Sequence, residues 1–148
     1  MIHSLEQDRA KYALRRVENY TTESELWRAS YLRQVKRLSA MILTCGLGQS
    51  TAYLIAQSVA KEGKEQEEKK AVKQLYKDIE TWLCCESHGI YSDGERDKDL
   101  MHEITNGDME KYMNTQAEVL SLLVWLKKMA VAYLSGPESG VSNESATL

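Results

Sequence analysis

Proline is almost missing from this 148-residue chain: the one present stands at position 137. Every earlier segment is therefore free to be helical. Three cysteines, two of them adjacent as Cys84 and Cys85, exclude a secreted disulfide framework. No apolar run is long enough for a membrane span. The most apolar stretch, Val119 to Leu134, is too short and is broken by Lys127 and Lys128. Met1 to Glu6 lacks a basic leader followed by an apolar core, so no signal peptide is expected. The expected location is cytoplasmic, with no membrane partner. Alternating strand patterns are also missing. Acid is missing locally: none occurs from Leu26 to Lys61, a window that holds Arg28, Arg33, Lys36 and Arg37.

What is present describes a globular chain, 43% hydrophobic and 28% charged, long enough to bury a core without metals or disulfides. The net charge is −3, which alone would disfavour nucleic acid. Its distribution matters more. Residues 1–60 carry net +3 and the remainder net −6, so the first part suits a polyanion while the second supports solubility.

Helical periodicity runs through the chain. Ser4 and Gln7 have the form of a capping box, and Ala10, Ala13, Leu14 and Val17 repeat at helical spacing, predicting a helix from Leu5 to about Tyr20. Its Lys11 and Arg15 point away from that stripe; Arg9 and Arg16 flank it and read as snorkelling arginines paired within the fold. Thr22 and Glu25 fit a second capping box. After it, Trp27, Tyr31, Val35, Leu38 and Ile42 define a buried stripe. Arg33, Lys36 and Arg37 fall on the opposite side. A solvated face usually mixes signs, and this one has no acid.

The run Ser39 to Leu54 is the main feature. An apolar helix is interrupted at Gly46, Leu47 and Gly48, then resumes. Glycine in a helix costs about 1 kcal/mol relative to alanine, so two glycines one residue apart need a reason. Either Gly46 is a left-handed cap between two helices, or both glycines admit another backbone. A phosphate-binding turn is a weaker reading, lacking a preceding strand and a Lys-Ser/Thr pair. Beyond the corner, Ala52, Ile55, Ala56 and Val59 form a stripe suited to close helix packing.

Lys61 to Lys70 reads as a solvated loop, followed by an amphipathic helix on Val72, Leu75, Tyr76, Ile79, Trp82 and Leu83. Glu86 to Asp99, with Gly89, Asp93 and Gly94, is the longest internal loop. A short helix around Leu100 to Thr105 ends at Asn106-Gly107. Asp108 caps a last helix reaching Leu134, apolar on most sides from Ala117 onward. Its polar strip is Asn114, Glu118, Ser121 and Lys128, with Trp125 inside it. The expected fold is all-α, a bundle of about six helices over residues 1–134, with a flexible tail over 135–148.

Several blocks together resemble one family. Met41-Ile42-Leu43-Thr44-Cys45-Gly46-Leu47-Gly48-Gln49 with Ala52-Tyr53-Leu54, Leu5 to Ala10, Trp82-Leu83 and Ala117 to Ala132 look like the small subunit of the type III-B CRISPR–Cas (Cmr) RNA-guided effector complex. The resemblance spans Leu5 to Leu134. It departs from the family pattern at Cys45, where asparagine is usual, at Ser39, where proline is common, and at Met113, where arginine is frequent. It implies a non-catalytic subunit that stacks along the filament of crRNA-binding backbone subunits and helps hold guide–target RNA. Other subunits cut RNA and make signalling nucleotides. The implied partners are crRNA, target RNA, and other Cmr subunits including further copies of the same chain.

The expected RNA contacts are Lys11, Arg15, Arg33, Lys36, Arg37 and Lys128. Gly46, Gly48 and Gln49 form a structural corner, and Trp125 is expected at a partner interface. No catalytic residue, metal or cofactor is expected. His3, His88 and His102 have no catalytic pattern around them, and Cys84, Cys85 and His88 lack a fourth ligand at metal-site spacing. The alternative is a helical scaffold whose basic face binds an acidic protein; a metal-dependent or thiol enzyme would rest on Cys84, Cys85 and His88 alone.

Overall fold

A computed structural model describes residues 2–59, 65–86, 89–91 and 99–136. His88, Asp93, Gly94 and Pro137 lie outside these residues, as does the chain beyond 136. The described residues form six helices and no strand: α1 (Leu5–Glu18), α2 (Glu25–Cys45), α3 (Leu47–Gln57), α4 (Glu65–Cys84), α5 (Leu100–Asn106) and α6 (Met109–Leu134). The all-α expectation holds.

Local signals explain most boundaries. The Ser4 side chain accepts from Gln7 N–H at 3.1 Å while Gln7 Oε1 accepts from Ser4 N–H at 2.9 Å, a complete capping box. Asp99 and Asp108 cap α5 and α6 by accepting from Met101 and Lys111 N–H. The α2 expectation needs a correction. Its cap is Ser24, which accepts from Trp27 N–H at 3.2 Å, and Thr22 lies in the preceding turn. That turn is held by backbone bonds such as Glu23 N–H to Tyr20 O, so the helix starts later than Thr22. A second correction concerns the charge run: α4 already begins at Glu65, so 65–70 is helix and not loop. Glu, Gln and Lys are good helix formers, and Lys70 pairs with Glu67 one turn back at 3.7 Å.

Helix α2 is central, packed between α4 and α6; α1 lies on α6, and α3 rests on α4 and α5. The stripe Trp27, Tyr31, Val35, Leu38 and Ile42 is buried throughout. Opposite it, α4 contributes Val72, Leu75, Ile79, Trp82 and Leu83, and α6 contributes Val119, Leu122, Leu123 and Leu126. Asp78 is fully buried among these groups. It accepts from the hydroxyls of Tyr20 and Tyr31 and from Gln74 Nε2, with Arg16 Nε at 3.6 Å. Burial pushes its carboxyl above the ordinary carboxylate range, and the donated bonds oppose that shift.

Helix α3 presents a different face to the core than expected. Leu47, Ser50, Thr51 and Leu54 are buried, while Ala52, Ile55, Ala56 and Val59 face solvent. The hydroxyls of Ser50 and Thr51 bond back to Gly46 O and Leu47 O, which makes two polar residues compatible with burial. The rotation of α3 is fixed at its first turn, by the corner described next.

Candidate functional site

Gly46 ends α2 and starts α3 without an intervening residue. Its φ of 86° and ψ of 164° fall in a region essentially reserved for glycine, and its N–H still reaches Ile42 O at 2.8 Å. Of the two readings of the corner, the cap is right for Gly46. Gly48 is a case of close approach, although by a side chain and not a backbone. Tyr112 OH of α6 accepts from Gly48 N–H at 2.9 Å, and Gln116 Oε1 accepts from Leu47 N–H at 3.0 Å. These bonds satisfy two of the free donors at the start of α3. The corner is therefore a clamp between α3 and α6, and the Leu47 and Gly48 N–H groups are not free to cradle a phosphate. Gln49 stands exposed just beyond it.

The basic face of α2 follows from the burial of its opposite side. With Tyr31, Gln34, Val35 and Leu38 inside, Arg33, Lys36 and Arg37 emerge into solvent. Arg33 is not free of acid: Glu68 of α4 lies at 4.0 Å, a pairing across helices that the local sequence does not show. Both side chains are nearly half exposed, so the pair is weak. Among the described residues no carboxylate pairs with Lys36 or Arg37. Arg28, further back, is half-buried, and its Nε has no acceptor among the described residues.

The remaining cations are distributed unequally. Lys11 and Arg15 are exposed on α1, a different helix, and Arg15 is bound to Glu86 at 2.9 Å. Lys128 is exposed on α6, its ammonium 5.7 Å from the centre of the Trp125 ring. Ser39 of α2, one turn past Lys36, lines a groove with Leu123, Val124, Lys127, Lys128 and Val131 of α6. The structure thus brings Lys127 and Lys128 beside the α2 face and leaves Lys11 and Arg15 apart from it. Lys127 was not among the residues expected from sequence; a lysine pair opposite an acid-free helix was the available signal.

Trp125 is half-buried and donates its Nε1–H to Glu6 Oε1 at 2.7 Å, so the ring is pinned between α1 and Lys128. Its neighbour Glu118 is bound by both Arg9 Nε and Nη2 and by Trp82 Nε1–H. The hydrogen bond from Arg9 holds the Glu118 carboxyl below its ordinary range. Cys84 is buried and Cys85 exposed at the end of α4. No described helix is long and apolar enough to cross a membrane.

These features define an all-helical bundle with one clamped helical corner and a cationic face on its central helix. The family model described as CRISPR-associated protein (Cas_Cmr5) matches residues 5–133, and the chain belongs to that family. Membership makes it a small subunit of the type III-B CRISPR (Cmr) complex, acting in CRISPR defence alongside the other Cmr subunits. No curated protein matches the chain.

Proposed function

We propose that this chain is a non-catalytic subunit that stacks beside further copies of itself along the crRNA-binding backbone and holds guide–target RNA. One observation carries the RNA part: Lys36 and Arg37 stand exposed without carboxylate partners among the described residues, on a helix with no acid after Glu25. Such a face binds phosphates regardless of sequence, and in an RNA-guided complex base pairing supplies the specificity. Arg33 joins them when Glu68 yields it. Lys11, Arg15 and Lys128 are secondary contacts in this reading, since Arg15 is committed to Glu86. Trp125 stays the proposed rim of a partner interface.

The test uses the assembled effector with crRNA and a labelled target RNA. Lys36→Glu with Arg37→Glu should lower ultraviolet crosslinking of the target to this subunit while its content in the complex is unchanged. Undiminished crosslinking at normal content would assign RNA holding to another surface.

A further inference from the structure

Two exposed surfaces on α6 are complementary, and the first borders the RNA-holding face at Lys128. The first is the α2–α6 groove, a space of about 490 Å³. Its floor is aliphatic: Leu123 is fully buried, and Val124 and Val131 are 48% and 42% exposed. Leu43, one turn beyond Ser39 on α2, extends the apolar strip at 74% exposure. The rim is cationic only. The charged residues that line it are Lys127 and Lys128, and no acid lines it. The groove offers no aromatic platform for a base, which single-stranded RNA would use. An aliphatic floor with an ammonium rim suits an apolar protein segment that carries carboxylates.

The second surface has that composition. At the start of α6, Met109 and Met113 are 81% and 57% exposed, one turn apart on the same face. Asp108 and Glu110 flank them, both exposed. Lys111, the cation in this turn, is turned away over the Tyr91 ring at 4.7 Å. Methionine is flexible and polarizable and adapts to irregular apolar grooves. The acids complement the lysines, and the methionines complement the exposed Val124 and Val131.

We propose that the acidic, methionine-bearing start of α6 in one copy docks into the α2–α6 groove of the next. The two surfaces lie roughly 25 Å apart along one helix, at 1.5 Å per residue. One copy can therefore engage a neighbour at each end. The contact is head-to-tail and propagates instead of closing into a symmetric pair. This rests on the reading that further copies lie side by side in the complex, and it names the surfaces by which they do so.

Crosslinking in the assembled complex tests it, with Cys45→Ser and Cys85→Ser removing the exposed native thiols. Met109→Cys together with Val131→Cys, treated with a short bis-maleimide, should give a ladder of dimers and longer species. Either cysteine alone should give none. Lys127→Glu with Lys128→Glu should abolish the ladder, and adding Glu110→Lys to the same chain should restore it. A ladder that survives the charge reversal, or one that the swap does not rescue, would overturn the pairing. So would multiple copies entering the complex with no ladder from the cysteine pair, and that result would leave side-by-side stacking intact. Entry of only a single copy per complex would remove the stacking reading itself, and this contact with it.

Discussion

The Tyr31 hydroxyl donates to Asp78 Oδ2 at 2.7 Å, in a core where both side chains are shut off from water. Tyr20 donates to the same carboxylate from the turn between α1 and α2, so one acid from α4 ties three segments together. Tyr31→Phe keeps the ring packing and removes one bond. It should cost about 1–3 kcal/mol in urea unfolding, the range for buried bonds to a charged or strongly polar acceptor. A variant as stable as the parent would show that the carboxylate does not hold α2.

Asp78 also sets a pH dependence. Because burial raises its pKa, the folded state keeps this proton at pH values where the unfolded chain has lost it. Its contribution is therefore greatest below the ordinary value of 3.8 and is lost as pH rises through the raised folded value. Asp78→Asn removes the titration. The stability of the parent minus that of Asp78→Asn should fall with rising pH across this window, with other carboxylates cancelling. A flat difference would contradict the raised pKa.

At the corner the two glycines should respond differently. An alanine at Gly46 must hold φ near 86°, and its Cβ would lie 3.2 Å from Tyr112 OH. A loss of about 1–3 kcal/mol is expected. Gly48 has ordinary helical geometry, and a Cβ there meets Tyr112 at 3.5 Å, normal contact. Gly48→Ala should stay within about 1 kcal/mol of the parent, since improved helix propensity offsets slight crowding. Thermal or urea melts of both variants decide the matter; equal losses would mean that the corner is held by packing and not by the backbone of Gly46.

Trp125 separates from the other two tryptophans by access. Trp27 and Trp82 are 5% and 2% exposed, whereas Trp125 is half-buried at the edge of α6 beside Lys128. Iodide, drawn to that ammonium, should quench one component of the emission in the free subunit, and Trp125→Phe should remove it. In the complex the component should become protected. Quenching that persists unchanged on assembly would take Trp125 out of the interface.

The α2 and α4 stripes were legible because each puts large apolar residues on one side and charge on the other, and periodicity alone reports that. Helix α3 was not, because its buried face includes Ser50 and Thr51. Their hydroxyls are satisfied by the carbonyls of their own helix, while the small apolar residues beside them are left outside. Asp78 was hidden for a related reason: a lone acid between Lys77 and Ile79 looks solvated. The chain has eight tyrosines and no phenylalanine, so core rings bring hydroxyls that need acceptors, and that composition was the available clue. The Arg33–Glu68 contact joins residues 35 positions apart on two helices, beyond any local pattern.

That contact shapes the quantitative expectation for the α2 face. Each lost phosphate contact lowers the slope of log affinity against log salt by roughly 0.7 for a single strand. Lys36→Ala with Arg37→Ala should flatten the slope measured on the assembled complex by about 1.4 units if both cations contact phosphate. Adding Arg33→Ala should bring the total toward about two units only if RNA displaces Glu68 from Arg33. Glu68→Gln isolates this step: it should raise affinity in the parent and have no effect once Arg33 is alanine. Exposed substitutions of this kind change stability by about 0.5 kcal/mol or less, so unfolding does not confound the measurement. Affinity should drop alike for unrelated target sequences paired with matching guides, because phosphates carry no base information. An unchanged slope in a folded, correctly incorporated triple variant would mean that this face meets protein or solvent, and the acidic-partner scaffold would become the better reading.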